Sequence, residues 1–257
     1  MDPTRAVMPY LVLGLLIASA ATARAADPAA DLLAGRTKEC PKCNLARANL
    51  KRFDLKAADL TGANLTSANL HRANLAGANL AGANLTGANL NKSDLKLTNL
   101  VGARLGEAML FEADLSGADL RRADLSGAMM GSSHLTFATL DAANIADADL
   151  ADAQMHGAKL EGADLSRSDL SQTTLRRAEL AGARLTSSRL IGADLRGANL
   201  GGADLRGADL MRADLTGAEL SGADLSGARL LLAKLADAKL DGADLAGTVM
   251  PDGTTHQ

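Results

Sequence analysis

Residues 63–90 read ANLTS ANLHR ANLAG ANLAG ANLTG ANL, beginning at Ala63 and ending at Leu90. The unit is five residues long, and its Leu recurs at every fifth position. An α-helix requires apolar residues at a spacing of about 3.6, and a β-strand requires them at a spacing of about two. Neither element fits, so the repeat predicts an architecture that turns every fifth side chain towards a common core.

The repeat keeps one register across most of the chain. Of the 42 residues between 45 and 250 whose numbers are divisible by five, 38 are Leu. The other four are also apolar, namely Met130, Ile145, Met155 and Met250. The residue two places earlier is usually Ala, and among the departures only Phe53 is large. Since no insertion breaks this register, residues 43–250 are predicted to form one solenoid domain.

The unit A-(D/N)-L-X-X resembles the pentapeptide-repeat family, and the resemblance covers about four fifths of the chain. It implies an all-β fold, a right-handed quadrilateral β-helix in which four pentapeptides form one square coil. About ten coils would then stack at the spacing of paired strands. The central Leu and the Ala two places before it would point inward. We name the five positions minus two (Ala), minus one (Asn or Asp), centre (Leu), plus one and plus two.

Charge and composition narrow the range of functions that the chain could have. Aromatic residues make up 2% of the chain and Trp is absent, which suits a narrow tube better than a large globular core. Net charge is +4 over residues 26–110, −7 over 111–165 and −1 over 166–257. Some members of the family resemble DNA in width and charge and inhibit topoisomerases, but this banding lacks the sustained acidic surface required. A basic stripe with aromatic stacking residues is also missing, so no nucleic-acid partner is expected.

The first 25 residues have the layout of a secretory signal peptide. Arg5 precedes a short apolar run, and Ala23-Arg24-Ala25 provides an A-x-A cleavage site. We therefore predict a signal peptide at residues 1–25 and export to the periplasm, with no membrane span after cleavage. Export also disfavours the DNA-mimic alternative. An uncleaved membrane anchor is the other interpretation, but the apolar run is short for a span.

Residues 26–42 lack the five-residue period and are predicted to be an N-terminal cap. Asp27 can cap a helix whose first residue is Pro28, with Gly35 as its terminator. Leu32 would lie on the apolar face of this short capping helix. A solenoid needs such a cap because its terminal repeat otherwise exposes its core to water.

Cys40-Pro41-Lys42-Cys43 closes the cap with a C-x-x-C motif. The next residue is Asn44 rather than His, which removes the c-type haem interpretation. Two thiolates alone do not complete a zinc site. A thiol redox protein is an alternative, although the motif lacks the βαβ surroundings of thioredoxin-like proteins. We predict a structural disulfide, formed in an oxidising compartment, that joins the cap to the first coil.

The outward positions are where a binding function could be encoded. Residues twenty apart should stack on one face if four repeats make a coil. One such face carries a basic patch in its first third, formed by Arg52, Arg72 and Lys92. Further along, its outward apolar residues are Met109, Phe111, Met129, Ile191, Met211, Leu231 and Leu232. Contiguous exposed apolar residues often mark contact surfaces, so we predict an interaction face for an unknown protein partner. The alternative is that a solenoid face simply tolerates scattered apolar residues.

The sequence offers no catalytic, cofactor-binding or metal site. His134 and His156 should lie on one face, but no carboxylate pair, nucleophile or third ligand converges on them. Arg176, Arg177 and Arg196 should form a small solvated basic cluster nearby. The sequence thus favours a non-enzymatic binding or structural scaffold. The alternatives are the DNA mimic and an enzyme that uses the two cysteines.

The chain closes with a tail at residues 251–257, where Pro251-Asp252-Gly253 is a turn signal. No capping helix is apparent there. The last coil would then expose its central residues, which are Leu235, Leu240, Leu245 and Met250. The family resemblance implies dimerisation at this end, so a homodimer through the C-terminal coils is expected.

Overall fold

The computed structural model describes residues 27–257. The predicted signal peptide at residues 1–25 lies outside the described residues. One helix, α1, spans Pro28–Leu33. The Asp27 side chain accepts hydrogen bonds from the N–H groups of the second and third residues of α1, at 3.1 and 3.3 Å, and Gly35 follows the helix with φ +69°. The predicted helix is therefore present, with its predicted first residue and N-cap.

The rest of the described chain is a stack of twenty-residue coils. Parallel β-bridges join each minus-one residue to the residue twenty positions later, from Glu39↔Asp59 to Arg229↔Val249. Pairing thus starts at Glu39, inside the segment that the sequence assigns to the cap. Each coil has four sides, each bridged at its minus-one residue, and four corners formed by the plus-one and plus-two residues. Neighbouring coils lie about 4.8 Å apart, the usual distance between paired strands.

The same backbone hydrogen bonds recur in nearly every pentapeptide. The Leu65 N–H donates to the carbonyl of Asn84 at 2.7 Å, and the Ser67 N–H donates to the carbonyl of Thr86 at 2.9 Å. The Ala68 N–H closes the corner by donating to the carbonyl of Leu65 at 2.9 Å. Because two of these three bonds run between coils, backbone pairing links the coils into a stack.

The core follows the sequence pattern. Leu65 and Ala63, the centre and minus-two residues of one pentapeptide, are fully buried, and the same holds along most of the solenoid. Where Ser or Thr replaces Ala at minus two, the buried hydroxyl usually finds a carbonyl: Thr173 Oγ1 donates to the carbonyl of Leu150 at 3.0 Å. The narrow interior therefore accepts a small hydroxyl in place of a methyl group.

The minus-one residue is Asn or Asp because its side chain closes the following corner. Asn64 Oδ1 accepts a hydrogen bond from the Thr66 N–H at 3.2 Å, and most pentapeptides contain the same bond. This is the Asx-turn geometry that Asn and Asp form readily. The minus-one side chains also bond between coils, as where Asn64 Nδ2 donates to Asn44 Oδ1 at 3.1 Å.

A minus-one column also stacks the carboxylates of Asp204, Asp224 and Asp244, which would repel one another if the column stood alone. The structure places Arg206, a plus-one residue, between the first two, with guanidinium nitrogens 2.7 Å from a carboxylate oxygen of Asp204 and 3.6 Å from one of Asp224. A cation on the adjacent corner thus offsets the repulsion between Asp204 and Asp224.

The two ends of the solenoid differ. At the N-terminal end, Leu32 of α1 is buried with the core and Phe53 packs against the core half-buried. At the C-terminal end the tail turns back, and Thr255 forms an antiparallel bridge with Val249. The last coil is packed less completely, since its central residues are only partly buried, namely Leu235, Leu240, Leu245 and Met250.

Candidate interaction edge

The plus-two residue of nearly every pentapeptide has left-handed backbone geometry. Gly162 has φ +62° and Arg72 has φ +58° at equivalent corners. A residue with a side chain costs about 1 kcal/mol in this region, whereas glycine adopts it without penalty. Glycine is thus the backbone's preferred residue at plus two, and any other residue there is kept at a cost.

One of the four corners avoids glycine almost entirely. Its ten plus-two residues include a single glycine, Gly192, and the other nine all have positive φ: Arg52, Arg72, Lys92, Glu112, Ser132, Asp152, Gln172, Arg212 and Leu232. The corner at residues 42–242 has eight glycines among eleven, the corner at 47–247 five among eleven, and the corner at 57–237 five among ten. We call the first corner, with its plus-one residues, the glycine-poor edge. Side chains are retained there against the preference of the backbone.

The structure brings most of the predicted sites together on this edge. The basic patch forms its N-terminal segment. Its apolar segment holds five of the seven predicted apolar residues, namely Phe111, Ile191, Met211, Leu231 and Leu232. Met109 and Met129 lie on the adjoining side, where they are bridged to each other. The glycine-poor edge therefore changes from basic to apolar along the rod.

The basic segment contains cations without acidic partners. Within residues 27–257, Lys51, Arg52 and Arg72 form no ion pair, whereas Lys92 pairs with Glu112 at 3.1 Å. The neighbouring His71 lies in the positive potential of these cations. Burial lowers the pKa of His71, and the positive charges of Arg72, Lys51, Lys92 and Arg52 lower it further.

The apolar segment is partly recessed. Phe111 is 44% exposed and Leu232 is 56% exposed, but Ile191, Met211 and Leu231 are half-buried rather than exposed as predicted, as is Met109 on the adjoining side. The reason is vertical stacking, because each of these side chains lies between those of the coils before and after it. We call these apolar residues of the edge the apolar stripe; it is interrupted between Phe111 and Ile191, where the plus-one residues are Gly131, Ala151 and Ser171.

Met109 changes the local hydrogen bonding beside Phe111. A methionine cannot accept the plus-one N–H as Asn or Asp does, so the Phe111 N–H donates instead to Oδ1 of Asn91, one coil earlier, at 2.8 Å. The same substitution occurs where Lys159 stands at minus one, since the Glu161 N–H donates to Asp141 Oδ1 at 3.1 Å. An Asn or Asp in the previous coil thus permits other residues at minus one.

Two exposed apolar residues were not predicted from the sequence. Leu97 is 74% exposed and Phe137 is 64% exposed, both on the corner at residues 57–237. Each lies over a glycine of the next coil, and a Cβ added to Gly157 would approach the Phe137 ring to within 2.5 Å. The Phe137 ring also packs edge-on against His156, with centroids 5.4 Å apart. The sequence feature that could have identified Leu97 and Phe137 is their position at plus two, where glycine is the common residue.

The histidines and arginines of that corner form no reactive group. Arg196 pairs with Asp194 at 2.5 Å, and Arg176 approaches the same carboxylate at 3.8 Å. Among residues 27–257, no three side chains of the kinds that bind metals are clustered. No helix in the same range is long and apolar enough to cross a membrane.

The two cysteines lie at the junction of cap and solenoid. Cys40 and Cys43 are joined in a disulfide, with Cα atoms 5.4 Å apart. Cys40 is fully buried, and its N–H donates to the carbonyl of Asp59 in the next coil at 2.8 Å. A shallow pocket beside them is lined by Asp27, the N-cap of α1, and by Asn44. Because pairing between coils already begins at Glu39, both cysteines lie within the first coil, where the disulfide closes a single corner. Its predicted role in joining the cap to the first coil stays a prediction.

Comparison with known proteins identifies the repeat. The family profile described as pentapeptide repeats matches in eight copies at residues 43–80, 63–100, 98–127, 133–172, 163–202 and 193–230. HetL, a pentapeptide repeat protein involved in heterocyst differentiation regulation from the cyanobacterium Nostoc sp. strain PCC 7120, is 38% identical. The similarity covers 80% of this chain and 94% of HetL, with a TM-score of 0.66.

Two further solved structures have lower identities and lower TM-scores than HetL. A pentapeptide repeat protein from the Arabidopsis thaliana thylakoid lumen is 33% identical over 40% of this chain and 68% of its own, with a TM-score of 0.31. QnrB1, a plasmid-mediated fluoroquinolone resistance protein, is 20% identical over 80% of this chain and 90% of its own, with a TM-score of 0.39. Among curated proteins, none matches this chain.

Proposed function

The chain belongs to the pentapeptide-repeat family, and from this premise we propose that it is a non-enzymatic scaffold that binds a protein partner along the glycine-poor edge. A single observation carries the proposal: one corner of the rod retains side chains at nine of ten left-handed positions. Structure alone favours glycine there, so we attribute the retained side chains to binding. The apolar stripe on the same edge supplies area that a partner can cover.

We propose a right-handed winding of the coils and export to the periplasm. Family membership supports the winding. The signal-like sequence of residues 1–25 supports export, as does the C-x-x-C pair, since disulfides persist in oxidising compartments. Protein recovered from the periplasm should have its N-terminus at Ala26. Recovery from the cytoplasm alone, with an N-terminus at Met1, would contradict export.

We also propose a homodimer through the C-terminal coils. Leu235, Leu240 and Leu245 are only partly buried at that end, so a second copy could cover them. Light scattering at micromolar concentration should return the mass of a dimer. The mass of a monomer would reject this arrangement without affecting the glycine-poor edge.

Chemical cross-linking in intact cells, followed by mass spectrometry, tests the proposed edge. The variants Phe111→Glu and Ile191→Glu should lose the partner because each places a charge in the apolar stripe. Phe137→Glu is the matched control, since it changes an exposed apolar residue on another corner and should keep the partner. Retention of the partner by both edge variants would refute the proposed edge.

A further inference from the structure

The glycine-poor edge begins with basic residues and carries apolar residues further along, and this order constrains what the edge can bind. We infer that its partner segment is a polypeptide with a block of acidic residues at one end and a block of apolar residues at the other. The acidic block lies against Lys51, Arg52 and Arg72, and the apolar block lies on the stripe that ends at Leu231. This inference rests on the proposed function and specifies the chemistry of the partner.

The basic segment calls for an anionic ligand. Cations elsewhere on the rod are often neutralised by their own coil or a neighbouring one, as Arg121 is by Asp119 at 2.6 Å and Arg167 is by Asp147 at 2.6 Å. Arg52 and Arg72 have no such partner within residues 27–257, and both occupy left-handed positions that favour glycine. Two unneutralised guanidiniums held at backbone cost in successive coils can grip carboxylates that the chain itself does not provide.

The remainder of the edge excludes a uniform polyanion. Beyond Lys92 the edge carries Asp152 in its plus-two column and Asp149 on the adjoining side, and neither forms an ion pair within residues 27–257. Glu112 and Asp169 are neutralised by Lys92 and Arg189. A nucleic acid or a sulfated polysaccharide has the same charge along its whole length, so it would be repelled after the basic segment. A polypeptide can change from carboxylates to apolar side chains at the required point.

A second copy of the rod is also a poor occupant. Two rods lying side by side in parallel and in register would place like bands of charge together. In the antiparallel arrangement the middle bands would meet, and residues 111–165 have a net charge of −7 on each rod. Repulsion between these bands opposes full-length pairing along this edge.

Titration calorimetry with the mature full-length protein tests the inference. The probes are a glutamate block, a leucine–serine block, the two blocks joined in one peptide, and single-stranded DNA with the charge of the glutamate block. The joined peptide should bind at least about tenfold more tightly than either block alone, because the second contact becomes intramolecular. Added salt should weaken binding of the glutamate block.

Charge reversal supplies the matched variants. Arg52→Glu with Arg72→Glu should weaken binding of the joined peptide about tenfold or more. Glutamate is tolerated at this backbone geometry, as Glu112 with φ +53° shows. The control is Arg122→Glu with Arg177→Glu, which reverses two plus-two cations on other corners. Both arginines also lack ion pairs within residues 27–257, and this control should leave the affinity unchanged.

Three results would overturn the inference: tighter binding of single-stranded DNA than of the joined peptide, equal affinities of the joined peptide and the glutamate block, or an equal loss in the control variant. The cellular cross-linking experiment separates this inference from the proposed function. If Phe111→Glu loses the partner and the Arg52→Glu and Arg72→Glu protein keeps it, the edge binds a partner but the acidic block is rejected. If all three substitutions keep the partner, the proposed function fails as well.

Discussion

At the scale of the residue, the plus-two position separates structural from functional demands. The corner requires positive φ whatever residue stands there, as Gly162 and Ser132 both show. Glycine satisfies the corner without strain, so a side chain there needs another reason. The glycine-poor edge differs in this respect from the other three corners of the same chain, each of which carries at least five glycines at plus two.

Exchanging residues at this position should change stability in opposite directions. Gly162→Ala should destabilise the protein by about 1 kcal/mol, because alanine is strained at φ +62° although no atom lies within 4 Å of the new methyl group. Ser132→Gly should relieve comparable strain and stabilise by up to about 1 kcal/mol. Gly157→Ala should cost more than Gly162→Ala because its methyl group meets Phe137. Urea unfolding measures all three, and a neutral Gly162→Ala would remove the basis for the glycine-poor edge.

Sequence alone was sufficient for the centre and minus-two positions, because burial of Leu and Ala follows directly from the period. It was insufficient for exposure at the corners. Met109 and Ile191 were expected to be exposed, but stacking between coils half-buries them. Leu97 and Phe137 were overlooked because their significance depends on the glycines on which they lie. Contacts between residues twenty apart decide these cases.

At the scale of the element, the coil is the unit of stability, and its burial depends on its place in the stack. Leu140 is fully buried between two neighbouring coils, whereas Leu245 in the last coil is half-buried. Identical residues in the repeat therefore contribute unequally. The sequence predicted the coil and its twenty-residue register, but it did not show that the tail would pair back onto the last coil.

Truncation of the central Leu should show this gradient. Leu140→Ala should destabilise the solenoid by about 3 kcal/mol, since it leaves a cavity among stacked coils. Leu245→Ala should cost about 1 kcal/mol because much of its side chain is already accessible to solvent. Hydrogen exchange of amides in the affected coil measures the local effect. Equal costs at the two positions would contradict the assigned burial.

The disulfide should stabilise one end and leave the middle unchanged. Cys40→Ala with Cys43→Ala should cost about 2 kcal/mol, the value expected for so short a loop. Amides of α1 and the first coil should exchange faster, and those around Leu140 should not. Faster exchange throughout the rod would instead show that the solenoid unfolds as one cooperative unit from its N-terminal end.

At the scale of the whole molecule, ion pairs within and between coils shape the charge of the rod. Asp119, Asp194 and Asp204 each accept hydrogen bonds from the guanidinium of the arginine two residues later. These bonds lower the pKa of each carboxyl below the ordinary value of 3.8, against the opposing effect of burial. Lys51, Arg52 and Arg72 on the glycine-poor edge form no ion pair within residues 27–257, and unlike Arg122 and Arg177 on other corners they lie side by side in successive coils.

Because of these carboxyl groups, the stability of the folded protein should depend on pH in the acidic range. A carboxyl group whose pKa is lower in the folded state stabilises that state at every pH above its pKa in the unfolded chain. This stabilisation is lost as the pH falls through the pKa of the folded state. The urea midpoint should therefore decrease steeply below about pH 4. Arg196→Met should reduce this decrease, because Asp194 would lose its principal hydrogen-bond donor. An unchanged acid response in that variant would show that the pair makes no contribution.

The most direct test of the central claim compares the four corners at one level of the rod. Gly162, Arg167, Gln172 and Arg177 are successive plus-two residues, one on each corner, and Gln172 lies on the glycine-poor edge. A photo-reactive amino acid placed at each position in turn, in intact cells, reports which corner touches a partner. We predict a cross-linked partner from position 172 and none from positions 162, 167 and 177. Equal cross-linking from all four corners, or cross-linking that excludes position 172, would contradict the claim.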